Sequence, residues 1–410
     1  MKYVVVLGDG MADEPLAELQ NRTPLMAADT PCMDLLAAKS EVGLAYTIPE
    51  GMKPGSDTAN LSVLGYNPRK YYTGRSPLEA LSIGVDMKAT DIALRCNLVT
   101  LSEEEVPYES RTILDHSSGE IETEDAAILL EAVKKELEND IYKFYVGTSY
   151  RHLTIWDKGR VTDLVPPHDI LGRVIGEYLP EEQALREMMK KSYAILNNHP
   201  VNLKRKEKGL HKANSLWFWG AGTRPALDPF EEKNHKKGAM ISAVDLLKGI
   251  AVGAGMKVIE VPGANGTLHT NYEGKAMAAV KVLLEDHYDF AYVHVEAPDE
   301  MGHQGNIRNK IISIENLDQR VIQVIMQEMQ KAGAEYRMLI MPDHPTPIRC
   351  RTHTSDPVPY LLYDSTDSMM REKTHEDEVK NAWKFNEADA KLSGNVVKEG
   401  YTIIDKLFER

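Results

Sequence analysis

Three short apolar runs, rich in β-branched and aromatic residues, constrain the fold of this chain more than any other feature. They span Tyr3–Leu7, Phe290–Val295 and Arg337–Met341, and each stops abruptly near a glycine or a proline. Runs of this length without polar alternation are typical of strands that are buried on both faces of a parallel sheet. Helical patterns lie between them, so the sequence predicts an α/β fold.

The clearest helical pattern covers residues 313–332. Its apolar positions follow helical spacing, charged residues fill the other face, and Gly333 is suited to end it; the apolar positions are Ile314, Leu317, Val321, Ile325 and Met329. Because the run Arg337–Met341 follows directly, we expect a helix-then-strand unit of an α/β sheet here.

The character of the chain changes between residues 89 and 224. Charged helical patterns and a short alternating strand occur here, at Glu122–Asn139, Glu181–Lys191 and Tyr150–Trp156. The length of 410 residues also favours two domains over one. We therefore predict a discontinuous core domain, residues 1–88 and 225–410, and a smaller α+β domain inserted at 89–224.

Composition excludes several classes of partner. The net charge of -14 argues against nucleic acid or an anionic membrane surface, because both bind through positive fields. The three cysteines Cys32, Cys96 and Cys350 are far apart in the sequence, which indicates that the protein works in a reducing cytosol. No apolar stretch approaches the roughly 20 residues of a membrane helix. We expect a cytoplasmic protein with a small-molecule substrate, and the oligomeric state stays open.

Acidic and histidine residues follow all three apolar runs. Asp9 follows the first, Asp299 and His303 the second, and Asp343 and His344 the third. An Asp or His after a strand is usually a turn former or a helix cap, but three repetitions make that explanation insufficient. In an open α/β sheet, ligands bind just beyond the carboxyl ends of the strands. These residues are therefore candidates for one shared site.

The types of these residues predict metal binding. Asp299 and His303 are four residues apart, so a helical turn places both side chains on one face. Carboxylate and imidazole ligands without thiolate favour Mn²⁺, Zn²⁺ or Mg²⁺, and of these we favour Mn²⁺. The ligands are too many for one tetrahedral ion but suit two ions about 3.5–4 Å apart, an arrangement that clamps an in-line displacement.

Ser56 is the candidate nucleophile. Pro54 and Gly55 signal a turn before it, and residues 59–64 look helical, which puts its hydroxyl near a helix N-terminus. Such a serine alone is more often a cap, and metal coordination is what would activate it. The sequence lacks the other common nucleotide-binding and nucleophile motifs: it has no G-x-x-x-x-G-K-[ST], no complete dinucleotide fingerprint and no G-x-S-x-G.

Seven segments together carry a family resemblance: Leu7–Met11 (LGDGM), Gly55–Ala59 (GSDTA), Thr73–Ala80 (TGRSPLEA), Tyr150–His152 (YRH), Val261–Ala264 (VPGA), Glu296–Asp299 (EAPD) and Pro342–His344 (PDH). On these motifs the chain resembles the alkaline phosphatase superfamily, and within it the archaeal type of cofactor-independent phosphoglycerate mutase. The resemblance runs nearly end to end and implies a mixed, mostly parallel sheet flanked by helices.

The resemblance also implies roles for the candidate residues. One ion would be held by Asp9, Ser56, Asp343 and His344, and the other by Asp299, His303 and His353. By itself His353, in a polar segment, would be taken for an exposed loop residue. In the family the serine takes the phosphate from a phosphoglycerate and returns it to the other hydroxyl. The inserted domain closes over the metals, because water would turn the enzyme into a phosphatase.

The substrate-binding residues are less conventional. A carboxylate and a phosphate call for cationic side chains, and Arg95, Arg151 and Lys248 are the candidates. Where archaeal mutases have an arginine-rich stretch, this chain has Asp115–Glu120 (DHSSGE), which makes Asp115 and His116 further candidates. An arginine is also missing near residues 217–220. These departures resemble a bacterial branch labelled proposed homoserine kinase.

Three alternatives to a mutase follow. A homoserine kinase-like phosphotransferase would need ATP, but the sequence has no recognisable phosphate loop. A metal-dependent phosphatase or phosphonate hydrolase would use the same ions and Ser56, and would let water attack the phosphoserine. A non-enzymatic protein that kept only the fold would have gaps in the ligand set, and no expected ligand is missing.

Overall fold

The computed structural model describes residues 1–367 and 383–409. It divides into two compact units. The core unit comprises residues 1–72 and 226–410, and the inserted unit comprises residues 73–225. Within the described ranges, no helix combines the length and the apolar character needed to cross a membrane.

The strands, in chain order, are β1 Lys2–Gly8, β2 Glu41–Ala45, β3 Ile92–Leu101, β4 Ile113–Asp115, β5 Tyr142–Tyr145, β6 Arg151–Trp156, β7 Ser215–Thr223, β8 Gly238–Ile241, β9 Lys257–Val258, β10 Phe290–Val295, β11 Tyr336–Met341, β12 Val358–Asp364 and β13 Val396–Val397. The α-helices are α1 Pro24–Ala27, α2 Pro31–Ala37, α3 Ser56–Val63, α4 Pro68–Tyr71, α5 Arg75–Ser82, α6 Thr123–Leu137, α7 Gln183–Leu196, α8 Pro200–Glu207, α9 Phe230–Asn234, α10 Asp245–Gly253, α11 Tyr272–Leu284, α12 Ala297–His303, α13 Ile307–Leu317, α14 Gln323–Lys331, α15 Glu387–Leu392 and α16 Ile403–Phe408. Short 3₁₀ turns cover Ala17–Leu19, Tyr108–Ser110, Pro167–Ile170, Ile175–Tyr178 and Gly400–Thr402.

The core unit contains an eight-stranded mixed sheet in the order β13-β2-β12-β11-β1-β10-β8-β9. Strand β1 pairs in parallel with β10 and β11, so Leu7 has His294 on one side and Met341 on the other. Strand β12 runs antiparallel to both of its neighbours. Val4, Val5 and Val6 are completely buried, which is why this strand carries no polar alternation. The three apolar runs are thus confirmed as adjacent parallel strands, and their carboxyl ends meet at one edge.

The helix predicted for residues 313–332 begins earlier than the apolar pattern. The chain is helical from Ile307 to Lys331, with a π-helical turn at Asp318–Ile322 between α13 and α14. It starts at 307 because the side chain of Asn306 caps it, accepting a hydrogen bond from the Asn309 amide at 3.0 Å. It ends before Gly333, whose φ of 60° suits a glycine after a helix.

The inserted unit is built around β3, which pairs antiparallel with β4, β6 and β7, while β5 pairs with β6. It begins at Thr73 and not at residue 89 as predicted. The reason is α5, which packs on this sheet: Ser76 donates to the carbonyl of Gly220, and Ala80 joins a small cluster with Ala93 and Ile155. The sequence placed the start of the inserted domain after α5, because the residues of α5 resemble those of an ordinary helix of the core domain.

A candidate metal centre and an anion pocket

Ser56 is the first residue of α3, directly after Gly55. Its Oγ lies 3.1 Å from Nε2 of His344. One helical turn later, the side-chain amide of Asn60 donates from Nδ2 to the Ser56 carbonyl and to Oδ2 of Asp343, both at 2.8 Å. The hydroxyl of Tyr292 fixes that amide by donating to its Oδ1 at 2.6 Å. The fold therefore holds the serine beside residues from the end of β11.

A first group of possible metal ligands comprises Asp9, His294 and Asp343, which are all buried. His294 Nε2 lies 2.9 Å from Oδ2 of Asp9, and its Nδ1 lies 3.2 Å from the hydroxyl of Ser242. His294 was not predicted from the sequence, because a histidine inside an apolar strand resembles a core residue. The available signal was its place one residue before the end of β10, opposite Leu7 in β1.

A second group comprises Asp299, His344 and His353. His303 joins it: its Nε2 lies 3.2 Å from Oδ2 of Asp299 and 3.0 Å from Nε2 of His353. Its Nδ1 lies 3.0 Å from the carbonyl of Arg351, the second-sphere contact that typically orients a ligating histidine. Helix α12 does carry Asp299 and His303 on one face, as their spacing predicted.

His344 lies between the two groups. Its Nε2 is 3.5 Å from Oδ1 of Asp9 and 3.4 Å from Oδ2 of Asp343. Its ring centre is also 4.0 Å from that of His353. This position is compatible with an ion shared with Asp9, Ser56 and Asp343, which is the set that the family resemblance implies.

The electrostatics of the first group fit a bound cation. Burial, and after it the carboxylates of Asp343 and Asp299, raise the pKa of Asp9 well above its usual range. Oδ1 of Asp9 is buried and has no hydrogen-bond partner in the described part of the chain. Burial lowers the pKa of His344, and that of His294 to about 3, so both rings are neutral and can offer a lone pair. An unsatisfied carboxylate oxygen among neutral imidazoles is what a divalent cation requires.

In the second group the histidines determine the pKa of the Asp299 carboxylate. Burial acts to raise the pKa of Asp299, but hydrogen bonds from His303 and His353 outweigh it and hold that pKa well below the usual range. In return, the Asp299 carboxylate raises the pKa of His303 to about 9. Gly10 is also needed here, because its φ is 60° and a Cβ on it would lie 2.5 Å from Oδ1 of Asp299.

A buried polar network supports the second group. Nζ of Lys310 donates to Oδ2 of Asp13 and to the carbonyl of Thr346, both at 2.8 Å. The hydroxyl of Thr346 in turn donates to Oδ1 of Asp299. The amide of Ile348 adds a bond to Oδ2 of Asp13 at 3.1 Å. The ion pair Lys310–Asp13 is completely buried, and it anchors the loop that follows His344.

The inserted unit contains a small cationic cavity of about 180 Å³, called the anion pocket below. Its lining residues are Arg75, Arg95, Asn97, His116, Tyr150, Arg151, His168 and Trp219. Arg95, Arg151 and His116 were predicted from the sequence, whereas Arg75 and His168 were not. Arg75 belongs to the family segment Thr73–Ala80, which could have indicated it, but no motif marks His168.

Two other predicted substrate residues do not line this pocket. The Asp115 carboxylate accepts hydrogen bonds from the Ser117 and Gly119 amides, and it lies 2.6 Å from Nδ1 of His211. The Asp115 carboxylate therefore stabilises the loop that follows it. Lys248 belongs to the core unit, where its Nζ pairs with Glu260 at 2.9 Å.

Comparison with known proteins gives a family. Residues 37–202 match the family described as 2,3-bisphosphoglycerate-independent phosphoglycerate mutase. A relative from Methanosarcina barkeri that carries this name is 50% identical over 93% of this chain and 95% of its own length. This chain belongs to that family. A relative from Geobacter sulfurreducens, named as a probable mutase of the same type, is 47% identical over the whole of both chains.

Solved structures agree with this membership. A Pyrococcus horikoshii protein has a TM-score of 0.80 at 30% identity, covering 99% of this chain and 96% of its own. The cofactor-independent phosphoglycerate mutase of Thermoplasma acidophilum has a TM-score of 0.63 at 28% identity, covering 99% of both chains. The predictions of the α/β fold with its mixed sheet, of the family and of an enzyme are thereby confirmed.

Proposed function

We propose that this protein interconverts 3-phosphoglycerate and 2-phosphoglycerate through a phosphoserine on Ser56, without 2,3-bisphosphoglycerate. The observation that carries the proposal is the position of the Ser56 hydroxyl. It lies 3.1 Å from Nε2 of His344, the residue between the two groups of possible metal ligands. Membership of a mutase family supports the choice of substrate. The three cysteines are free thiols, in keeping with action in a reducing cytosol.

We assign the residues to two divalent ions; the oxygen and nitrogen ligands suit Mn²⁺, Zn²⁺ or Mg²⁺, and of these three we propose Mn²⁺. One set is Asp9, Ser56, Asp343 and His344, and the other is Asp299, His303 and His353. The ions would polarise the phosphate and lower the pKa of the serine hydroxyl. His294 contacts Asp9 and orients it.

The transfer is a pair of displacements. Oγ of Ser56 attacks phosphorus and the bond to the glycerate oxygen breaks, while the serine proton goes in net terms to that oxygen. The other glycerate hydroxyl then attacks the phosphoserine, and Ser56 regains a proton. Glycerate must stay bound between the two steps. We propose, from the family resemblance, that the inserted unit closes over the metals to exclude water.

Arg95, Arg151 and His116 are the proposed substrate-binding residues, because they share the anion pocket. Guanidinium groups suit the flat carboxylate and the phosphate oxygens of a phosphoglycerate. We leave Lys248 and Asp115 out of this set, since Glu260 and the loop after Asp115 already engage their charges.

The proposal is tested by incubating Mn²⁺-loaded protein with 3-phosphoglycerate and following 2-phosphoglycerate through enolase. We expect isomerisation without added 2,3-bisphosphoglycerate. Release of inorganic phosphate without isomerisation would indicate a phosphatase instead. Transfer of phosphate from ATP to homoserine, again without isomerisation, would indicate the kinase-like alternative.

A further inference from the structure

Glu79, on α5, bridges two arginines of the anion pocket but does not line the pocket itself. Its Oε2 accepts from Nε of Arg95 at 2.9 Å, and its Oε1 accepts from Nη2 of the same residue. Oε1 also accepts from Nε of Arg75 at 3.1 Å. Burial acts to raise the pKa of Glu79, but the two guanidinium groups hold it below its usual range, so the bridge is ionic.

The guanidinium of Arg95 is also held on its face. Its Cζ lies 4.5 Å from the ring centre of Trp219, a stacked cation–π contact. The indole of Trp219 donates to Oδ1 of Asn97 at 3.0 Å, and Nδ2 of Asn97 donates to the carbonyl of His116 at 3.3 Å. Glu79 therefore fixes one edge of Arg95, and Trp219 fixes its plane.

An anion site that keeps a carboxylate next to its arginines loses part of its attraction for anions. Any contribution of Glu79 to anion binding must therefore come from how it orients the two arginines. Glu79 uses only the edge of Arg95 that carries Nε and Nη2, and Nη1 has no protein partner among the described residues. An arginine held in one rotamer also loses less conformational entropy when it binds an oxyanion.

We propose that Glu79 is a positioning residue of the anion pocket, which presents the Nη1 side of Arg95 to a carboxylate or phosphate group. This inference rests on the proposed function for the identity of the substrate. It does not make Glu79 a catalytic residue, because Glu79 acts only through the two arginines.

The test is Glu79→Gln, which keeps the size of the side chain but removes its charge. A positioning role predicts that KM for 3-phosphoglycerate rises about tenfold while kcat changes much less. A purely electrostatic role predicts the opposite, a lower KM, because the pocket becomes more positive. Unchanged KM with a lower melting temperature would reduce Glu79 to a structural contact. Either of these two results would overturn the proposal.

Glu79→Asp supplies a second variant in case the glutamine variant does not fold. It keeps the charge, but it is one methylene too short to bridge both arginines, so positioning again predicts a higher KM. An unchanged KM here would contradict the proposal. Glu182→Gln is the matched control, because Glu182 pairs with Arg160 at 2.9 Å in the same unit but outside the pocket. Its KM is expected to stay at the wild-type value.

Calorimetric titration of the Mn²⁺-loaded proteins with 3-phosphoglycerate separates this inference from the proposed function. If wild-type protein binds the ligand without isomerising it, the mutase proposal fails. The weaker binding expected for Glu79→Gln would then still support the positioning role. Equal binding by wild type and Glu79→Gln would refute that role, whatever the turnover.

Discussion

The metal centre of the core unit and the anion pocket of the inserted unit gather charge in opposite ways. The metal centre concentrates carboxylates, with Asp9 and Asp343 almost completely buried, and leaves Oδ1 of Asp9 unsatisfied. The anion pocket concentrates arginines and holds them with Glu79, and Arg151 is exposed. Buried like charges need a cation and a rigid support. In the pocket, by contrast, Arg75 and Arg151 are exposed and stay solvated, and the mostly buried Arg95 is already paired with Glu79. Changes at the metal centre should therefore have larger effects than changes in the pocket.

The largest expected effect is that of Ser56→Ala. Without the nucleophile, phosphate transfer should fall by at least about 10⁴-fold. Binding of 3-phosphoglycerate, measured by calorimetry, should change little if the anion pocket supplies most of the affinity. Melting temperature and the circular dichroism spectrum serve as controls for folding. Retained turnover would refute the phosphoserine, and a large loss of binding would refute the division of labour between the two regions.

Lys310→Met tests the support of the metal centre. The change leaves the Asp13 carboxylate buried without its partner, which typically costs about 3–5 kcal/mol of unfolding free energy. Urea unfolding followed by circular dichroism measures it. The control is Lys281→Met, because Lys281 and Asp286 form an exposed pair that should contribute at most about 1 kcal/mol. Similar losses in both variants would show that the buried network is not a special support.

The parts of the two regions that could be predicted from the sequence are those with local signals. Asp9, Asp299 and Asp343 each follow a run of apolar residues, and adjacent parallel strands then bring them together. His294 has no such signal, because only the pairing of β10 with β1 puts it beside Asp9.

The anion pocket was less predictable, since no shared local pattern such as the end of an apolar strand marks its members. Arg75 and His168 are close only because α5 and the loop around residue 168 lie on the same sheet as Arg95. The same packing explains the error in the domain boundary. Long-range packing, unlike a ligand after a strand, leaves no pattern in neighbouring residues.

The smallest predicted effect is on the pH dependence of stability, and it comes from a comparison of two buried histidines, one in each unit. His294 contacts Asp9, whereas Nε2 of His152 has no hydrogen-bond partner among the residues that the structure describes. Burial lowers the pKa of His152 to about 4. The folded protein therefore binds fewer protons at this site than the unfolded chain, whose pKa is about 6.5. Stability should rise with pH between these values and fall on acidification.

The size of this effect is at most about 3 kcal/mol between pH 6.5 and pH 4. His152→Asn removes the titration while keeping an acceptor for the amide of Gly147, which now bonds to Nδ1 of His152 at 3.1 Å. The readout is the pH dependence of the unfolding free energy, because the smaller side chain will shift its absolute value. A flatter curve for the variant between pH 4.5 and 6.5 is expected. Parallel curves would mean that His152 finds a partner when protonated, and that the inserted unit tolerates buried charge as the metal centre does.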